Sequence, residues 1–401
     1  MRKLTLIPLL GLGMLGALRA GEAPPGFADE LRNGIYSRIN EFGYVLRQDT
    51  RDSPLNPGNV LGIPRDQLVL EIRPDFNLKL GQAEFDLKPR FRWAHTRVVA
   101  GDAAPLRARH DEAFVNEGSV RYRLFDRLIL SYGRENLQWG PSALLSPSNP
   151  FNANNGRSNP NVELPGLDYA RAVFVASPAV TMSLIANTGK GRLGATERFR
   201  KAVAAKLDFT GDDTFASLIG SRADGERGRI GAFGGWNVTD ALSIRVEGSA
   251  GHRASASVAA ADRYAVERRD RQLLVGAAYT TLAGPTMSVE YFFNKDGCAD
   301  LAIAQCLQRR GALLDPLRPL ARRRYAMFQY VDTKIGGNLN LAVRAIRNLD
   351  DGSAQLVVSV EYELGQHWLL YAIPTYSRGS PDSEFGSLLR RSLFVGASYT
   401  F

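Results

Sequence analysis

The chain has 401 residues, 44% of them hydrophobic and 23% charged, with a formal net charge of +9. That is too polar for a bundle of membrane helices and too weakly basic to argue for a nucleic-acid partner. Its two cysteines and four scattered histidines (His95, His110, His252, His367) have no metal-site spacing, and no cofactor or metal is implied.

The start reads as a targeting segment. Arg2 and Lys3 precede the apolar run Leu4–Leu18, and small residues after Arg19 place cleavage after Ala20 or Ala23. The run is too short to span as a helix, and no later run is longer. Setting aside Arg2, Lys3 and Arg19 leaves a mature charge of about +6, which suits anionic lipid or anionic solutes. The expected division is a signal peptide over 1–20, a periplasmic lead-in over 21–33 and one β-domain over 34–401.

From Ile35 onward, alternating segments are separated by connections that are short, then long, then short. They are Ile35–Arg47, Gln67–Leu78, Phe85–Val99, Ala113–Phe125, Arg127–Trp139, Asp168–Ala176, Val180–Asn187, Arg198–Phe209 and Asp213–Ser221. Arg229–Trp236, Ala241–Gly251, Gln272–Leu282, Thr286–Asn294, Arg324–Thr333, Asn338–Asn348, Ala354–Leu364, His367–Arg378 and the terminal segment from Leu389 follow. The pattern predicts an all-β chain: an antiparallel, up-and-down transmembrane barrel of about eighteen strands, with sixteen as the alternative count. An even count puts both ends, and every short turn, on one side. Pro74 and Pro89 predict β-bulges in their strands. Phe125, Phe209, Phe215, Trp236, Trp368, Tyr399 and Phe401 fall beside short turns and read as an aromatic girdle.

Charges on one face of these strands, opposite an apolar face, belong to a wet interior. The expected selectivity set is Lys88, Arg90, Arg92, Arg121, Arg123, Arg198, Arg200, Arg245 and Arg344, with Glu117, Glu247 and Glu290 as acidic counterparts. The basic excess tilts the expected selectivity towards anions. The connection Gly140–Gly166 carries only Arg157 and Glu163 as charges and is rich in Asn and Pro. It is the third long connection. Trp139, Phe151, Asn152, Asn154, Asn155 and Arg157 are its candidate constriction or ligand residues, through amide hydrogen bonds and ring stacking. In an exported chain, Cys298 and Cys306 read as a disulfide, which forbids one straight helix between them.

The last strand places Leu393, Val395, Ala397, Tyr399 and Phe401 on one face, and ends on an aromatic residue. This ending resembles the terminal signature of bacterial outer-membrane barrels, which implies recognition by the barrel-assembly machinery. The chain from Ile35 to Phe401 resembles the outer-membrane porin superfamily. The run Arg134-Glu135-Asn136-Leu137-Gln138-Trp139-Gly140-Pro141 and the Ser-Pro-Ser-Asn-Pro-Phe loop beyond it are similar to capsule-assembly barrels. The arginine-rich interior is like that of alginate-exporting porins. The resemblance implies residence in a Gram-negative outer membrane, among lipid and lipopolysaccharide. It also implies passive passage of small hydrophilic solutes, anionic ones above all, or of an anionic polymer. The alternative is an occluded barrel that binds or assembles surface polysaccharide. No Gly-x-Ser-x-Gly element is present, and an enzyme is not expected. The sequence leaves oligomeric state open.

Overall fold

The computed structural model describes residues 34–101, 104–155, 159, 161–194, 199–224, 227–254, 267–310 and 319–401. The expected signal peptide, the expected lead-in over 21–33, Arg157 and Arg198 lie outside these residues. The strands are β1 (Ile35–Thr50), β2 (Pro64–Leu80), β3 (Ala83–Val98), β4 (Leu106–Phe125), β5 (Leu128–Glu135) and β6 (Leu167–Ser177). Then come β7 (Val180–Gly189), β8 (Ala202–Thr210), β9 (Thr214–Ala223), β10 (Arg229–Asn237), β11 (Leu242–Ala254) and β12 (Glu267–Thr280). The last are β13 (Thr286–Asn294), β14 (Arg324–Ile335), β15 (Leu339–Asn348), β16 (Ala354–Leu364), β17 (Trp368–Arg378) and β18 (Leu389–Thr400). They form one 18-stranded antiparallel sheet in sequence order. β1 pairs with β18 from Asn40–Thr400 to Thr50–Leu389, so the sheet closes and leaves no edge.

Alternation sorts the side chains. Val45, Leu68, Leu70, Phe76, Leu184, Leu218, Val289, Leu393 and Val395 are exposed on the outer face. Glu71, Arg90, Glu247, Glu290 and Arg344 are buried on the inner one. No helix among the described residues is long and apolar enough to cross a membrane.

Several strand ends differ from expectation. β4 begins at Leu106, seven residues before Ala113, and pairs along its length with β3 up to Val98–Leu106. Its extra residues alternate only weakly: Leu106 and Ala108 share a face with the polar His110 and Glu112, opposite Arg107, Arg109 and Asp111. β5 is shorter than expected. It ends at Glu135 because the chain turns inward before Trp139. β8 begins at Ala202, which leaves Arg200 in coil and not on a strand face. At Pro89 the β3–β4 register shifts. Opposite it, β2–β3 pairing lapses between Ile72–Phe91 and Phe76–Leu87, without a shift, where Pro74 faces Pro89. Neither proline has an N–H to donate. Arg90 Nη1 takes up both carbonyls, Pro74 O and Pro89 O, at 2.8 Å each. Phe215 is a correction to the girdle. It lies opposite Gly235 on the inner face, with its ring 6.4 Å from that of Phe233.

The closing seam carries its own packing. The Tyr371 hydroxyl crosses β18 and donates to Gly43 O on β1 at 2.8 Å. A Cβ at Gly396 would stand 2.6 Å from that hydroxyl, so the crossing needs glycine there. Phe42, Tyr44, Tyr371 and Phe394 stack around it inside the barrel.

At the long-loop end, a short helix α1 (Ile303–Arg310) sits in the connection between β13 and β14. Cys298 and Cys306 are bonded, with Cα atoms 5.9 Å apart; Cys306 lies in α1 and Cys298 precedes it. Arg322, buried beside them, donates to Asp351 Oδ2 at 3.0 Å and to the Leu301 carbonyl. Ile303 N donates to Asp382 O at 2.9 Å. Glu384 accepts from Ala321 N, Tyr325 Oη and Asn348 Nδ2. These bonds join the connections after β13, β15 and β17 into one packed body over part of the mouth.

Candidate functional site: the inward loop and the luminal wall

The connection between β5 and β6 folds into the barrel and ties itself to the wall on several sides. On one side, Glu290 of β13 accepts Ala143 N at 2.7 Å and Leu144 N at 2.9 Å. Glu247 of β11 accepts Ser146 Oγ at 2.6 Å, Ser148 Oγ at 2.7 Å and Ser148 N at 3.2 Å. Gly140 makes this approach possible: its φ is +90°, and a Cβ there would lie 2.6 Å from Glu247 Oε1. Arg229 Nη2 donates to Pro147 O at 2.7 Å. Ala143, Leu144 and Leu145 pack on Leu274, Phe292, Tyr325, Met327 and Ile346, with Leu320 and Phe385 of the outer body alongside.

The loop then crosses. Glu163 receives Arg90 of β3 through Nε at 2.8 Å and Nη2 at 2.7 Å. Asn161 O accepts Arg73 Nη1 at 3.2 Å, and Asn161 Nδ2 donates to Glu361 Oε1 of β16 at 3.1 Å. β3 and β12 stand nine strands apart in a ring of 18, which is half the circumference. A loop held at β11 and β13 and again at β3 therefore spans the interior.

Its asparagines build its frame. Asn149 Oδ1 accepts Phe151 N at 3.0 Å and Asn152 N at 3.3 Å, and Asn152 Oδ1 accepts Asn154 N at 2.9 Å. Asn155 Nδ2 donates to Ser142 O and Ala143 O. Phe151, Asn152 and Asn155 are buried, whereas Asn154 is exposed. Trp139 and Phe151 have ring centroids 5.8 Å apart, and Phe151 meets Tyr169 at 5.2 Å. That aromatic group pins the loop to the wall near β6.

The expected wall charges divide into two kinds. Arg90 is 1% exposed and held by Asp75 and Glu163, and Glu247 and Glu290 are buried anchors. Arg245 Nη2 pairs with Glu290 at 2.9 Å, and Arg344 donates to Gln329 Oε1. The second kind reaches solvent: Lys88 bonds Glu117 at 3.1 Å, Arg92 pairs with Glu71, and Arg121 lies 3.5 Å from both Glu84 and Asp86. Arg123 is exposed and carries no ion pair among the described residues. Lys88, Arg92 and Arg121 thus sit with Glu117, Glu71, Glu84 and Asp86 in one arc of mixed charge on β3 and β4, to which Arg123 adds a cation with no ion pair among the described residues.

Sequence reasoning missed Glu71 and Arg73. Glu71 is buried and accepts from both Arg73 and Arg92. Arg73 also lies over the Phe42 ring, 3.6 Å from its centroid. Their alternation with outward Leu70 and Ile72 was the available signal. Along β14–β16, towards the short turns, a cavity of about 410 Å³ remains, lined by Gln329, Lys334, Asn340, Arg344, Glu361 and Glu363 among others. Among the described residues, no group of side chains could hold a metal.

No protein-family model and no curated protein sequence matches the chain. Its fold is shared with solved structures of low identity. Pseudomonas aeruginosa OccK11 (OpdR) superposes with a TM-score of 0.61 at 12% identity, over 92% of this chain and 96% of that one. Acinetobacter baumannii OccAB1 gives 0.57 at 14%, over 91% and 95%. The outer membrane protein OprD from Pseudomonas aeruginosa gives 0.58 at 14%, over 91% and 94%. The eighteen-stranded count and the barrel expectation stand on this likeness and on the closed sheet; similarity to capsule-assembly or alginate-export barrels does not appear in it.

Proposed function

We propose that the chain is an outer-membrane channel that passes small hydrophilic solutes by passive diffusion, with the loop between β5 and β6 as its constriction. The observation that carries this reading is that loop's crossing of the interior, from Glu247 and Glu290 to Arg90. A barrel with an apolar outer face and a charged, hydrogen-bonded interior satisfies its backbone in lipid while leaving a wet path. The long-loop end faces outward and the short turns face the periplasm. One solved barrel of the same fold is the outer membrane protein OprD, which supports the outer-membrane reading. No step of chemistry is required of any side chain.

The finer reading is a preference for anions. Lys88, Arg92, Arg121 and Arg123 reach the solvent on one arc of the wall, and Arg123 has no acidic partner among the described residues. Lys88, Arg92 and Arg121 are each more exposed than the carboxylates they pair with, so the excess that meets the solvent is positive, and a net wall charge selects solutes by sign. The test is the reversal potential of the refolded protein in a planar bilayer under a salt gradient. Anion preference is expected, and replacing Arg92, Arg121 and Arg123 by Glu is expected to reverse its sign. Cation preference in the unaltered protein would contradict the anionic reading. A barrel with no conductance would favour the occluded, polysaccharide-holding alternative.

A further inference from the structure

The outer face of the closing seam carries a basic pocket that the solute path does not use. At the long-loop end, Arg47, Arg65, Pro374, Tyr376, Arg391 and Leu393 line a cavity of about 410 Å³. The register places it on the outer face. Arg47 lies opposite Leu393, Leu393 opposite Pro374 and Tyr376 opposite Arg391, in the same alternation as the outward Val45 and Val395. The Arg47 and Arg391 side chains are 69% and 71% exposed. Their ion pairs are loose. Arg391 Nε is 3.3 Å from Asp49, and Arg47 Nε is 3.9 Å from an Asp66 that Arg97 also approaches. Asp49 is the one carboxylate among the lining residues, against three guanidinium groups.

Directly below this pocket the outer face turns apolar. Val45, Leu68, Leu393 and Val395 are exposed there. Next along the strands, Gly43 lies opposite Ala397, flanked by Leu70 on β2 and Leu370 on β17. Two small residues between two leucines make a shallow lane running down the seam. Guanidinium groups bind phosphate oxygens in pairs, and arginines above an apolar surface recognise phosphorylated lipid headgroups.

We infer that this pocket binds the phosphate of an anionic glycolipid of the outer leaflet, with an acyl chain along the Gly43–Ala397 lane. The lipid, and not a free phosphate, is the occupant because the basic pocket opens onto the apolar lane beneath it. The bound headgroup bridges β1 and β2 to β17 and β18, and so clamps the first strand to the last. This inference rests on the outer-membrane reading, with the long-loop end outward.

The test is native mass spectrometry of the mature, refolded protein with a phosphorylated lipopolysaccharide anchor, its dephosphorylated form, or inorganic phosphate alone. The variants are Arg391→Gln and the triple Arg47→Gln, Arg65→Gln, Arg391→Gln. Folding is checked by heat-modifiable migration, and conductance is measured in parallel. The phosphorylated lipid is expected to stay bound to the parent protein and to bind the triple variant at least about tenfold more weakly, with Arg391→Gln between them. The dephosphorylated lipid and inorganic phosphate are expected to bind weakly. Equal binding to parent and triple variant, equal binding of the dephosphorylated lipid, or inorganic phosphate binding as tightly as the lipid would each overturn the inference. Conductance is expected to be the same in parent and variants. A parent that binds lipid without conducting would refute the channel alone, whereas a conducting protein whose lipid binding ignores the arginines would refute the lipid site alone.

Discussion

Two carboxylates hold the inward loop in place. Glu247 takes three loop donors and Glu290 takes two backbone N–H groups, in a buried setting where each lost acceptor strands a polar group. Stranding such donors costs about 1–3 kcal/mol. Glu247→Ala is therefore expected to loosen the loop and raise single-channel conductance, while the barrel still shows heat-modifiable migration. Unchanged conductance would mean that the packing of Leu144 and Leu145 suffices. Gly140→Ala is expected to act in the same direction. Its Cβ would enter the Glu247 carboxylate, and its φ of +90° strains any other residue. At this scale alternation carries the face of a charge only where a strand forms, which leaves out Arg200, in coil before β8. Alternation marked Arg90, Glu247 and Glu290 as inward, but their partners lie far along the chain. Glu163 is 73 residues from Arg90, a separation that no local pattern reports.

At the scale of elements, the disulfide and the seam make distinct predictions. The Cys298–Cys306 ring anchors α1 to the body built on Arg322 and Glu384. Replacing both cysteines by Ser removes a constraint worth about 2.5 kcal/mol by chain entropy. Faster proteolytic cleavage within 295–323 is expected, with the barrel's own melting unchanged; an unaltered cleavage pattern would count against it. At the seam, Gly396→Val puts a side chain where the Tyr371 hydroxyl crosses. It is expected to lower the temperature at which the barrel loses its compact migration on gels. Tyr371→Phe, which loses one hydrogen bond, costs about 1 kcal/mol and shifts it less. The strands themselves were legible because a sheet with one apolar face must alternate. Their ends were not. The start of β4 mixes Leu106 and Ala108 with His110 and Glu112 on one face, β5 stops where the chain turns inward, and Phe215 has the same aromatic character whichever face it takes.

At the scale of the whole molecule, the closed ring explains how the fold persists at 11–14% identity to its structural neighbours. A barrel asks for alternation, closure and turns, and many sequences meet those demands. Function depends on what fills the ring. Here that is a loop of few charges, tied at opposite arcs, together with an arc of ion-paired charges on β3 and β4. The most direct test of this account is single-channel conductance after replacing residues 141–163 with a short Gly-Ser linker. If the loop sets the narrowest point, the parent conducts steadily and the shortened protein conducts at a several-fold higher level with weaker anion preference. Equal conductance in the two, in a barrel that still migrates as folded, would contradict the claim that this loop is the constriction.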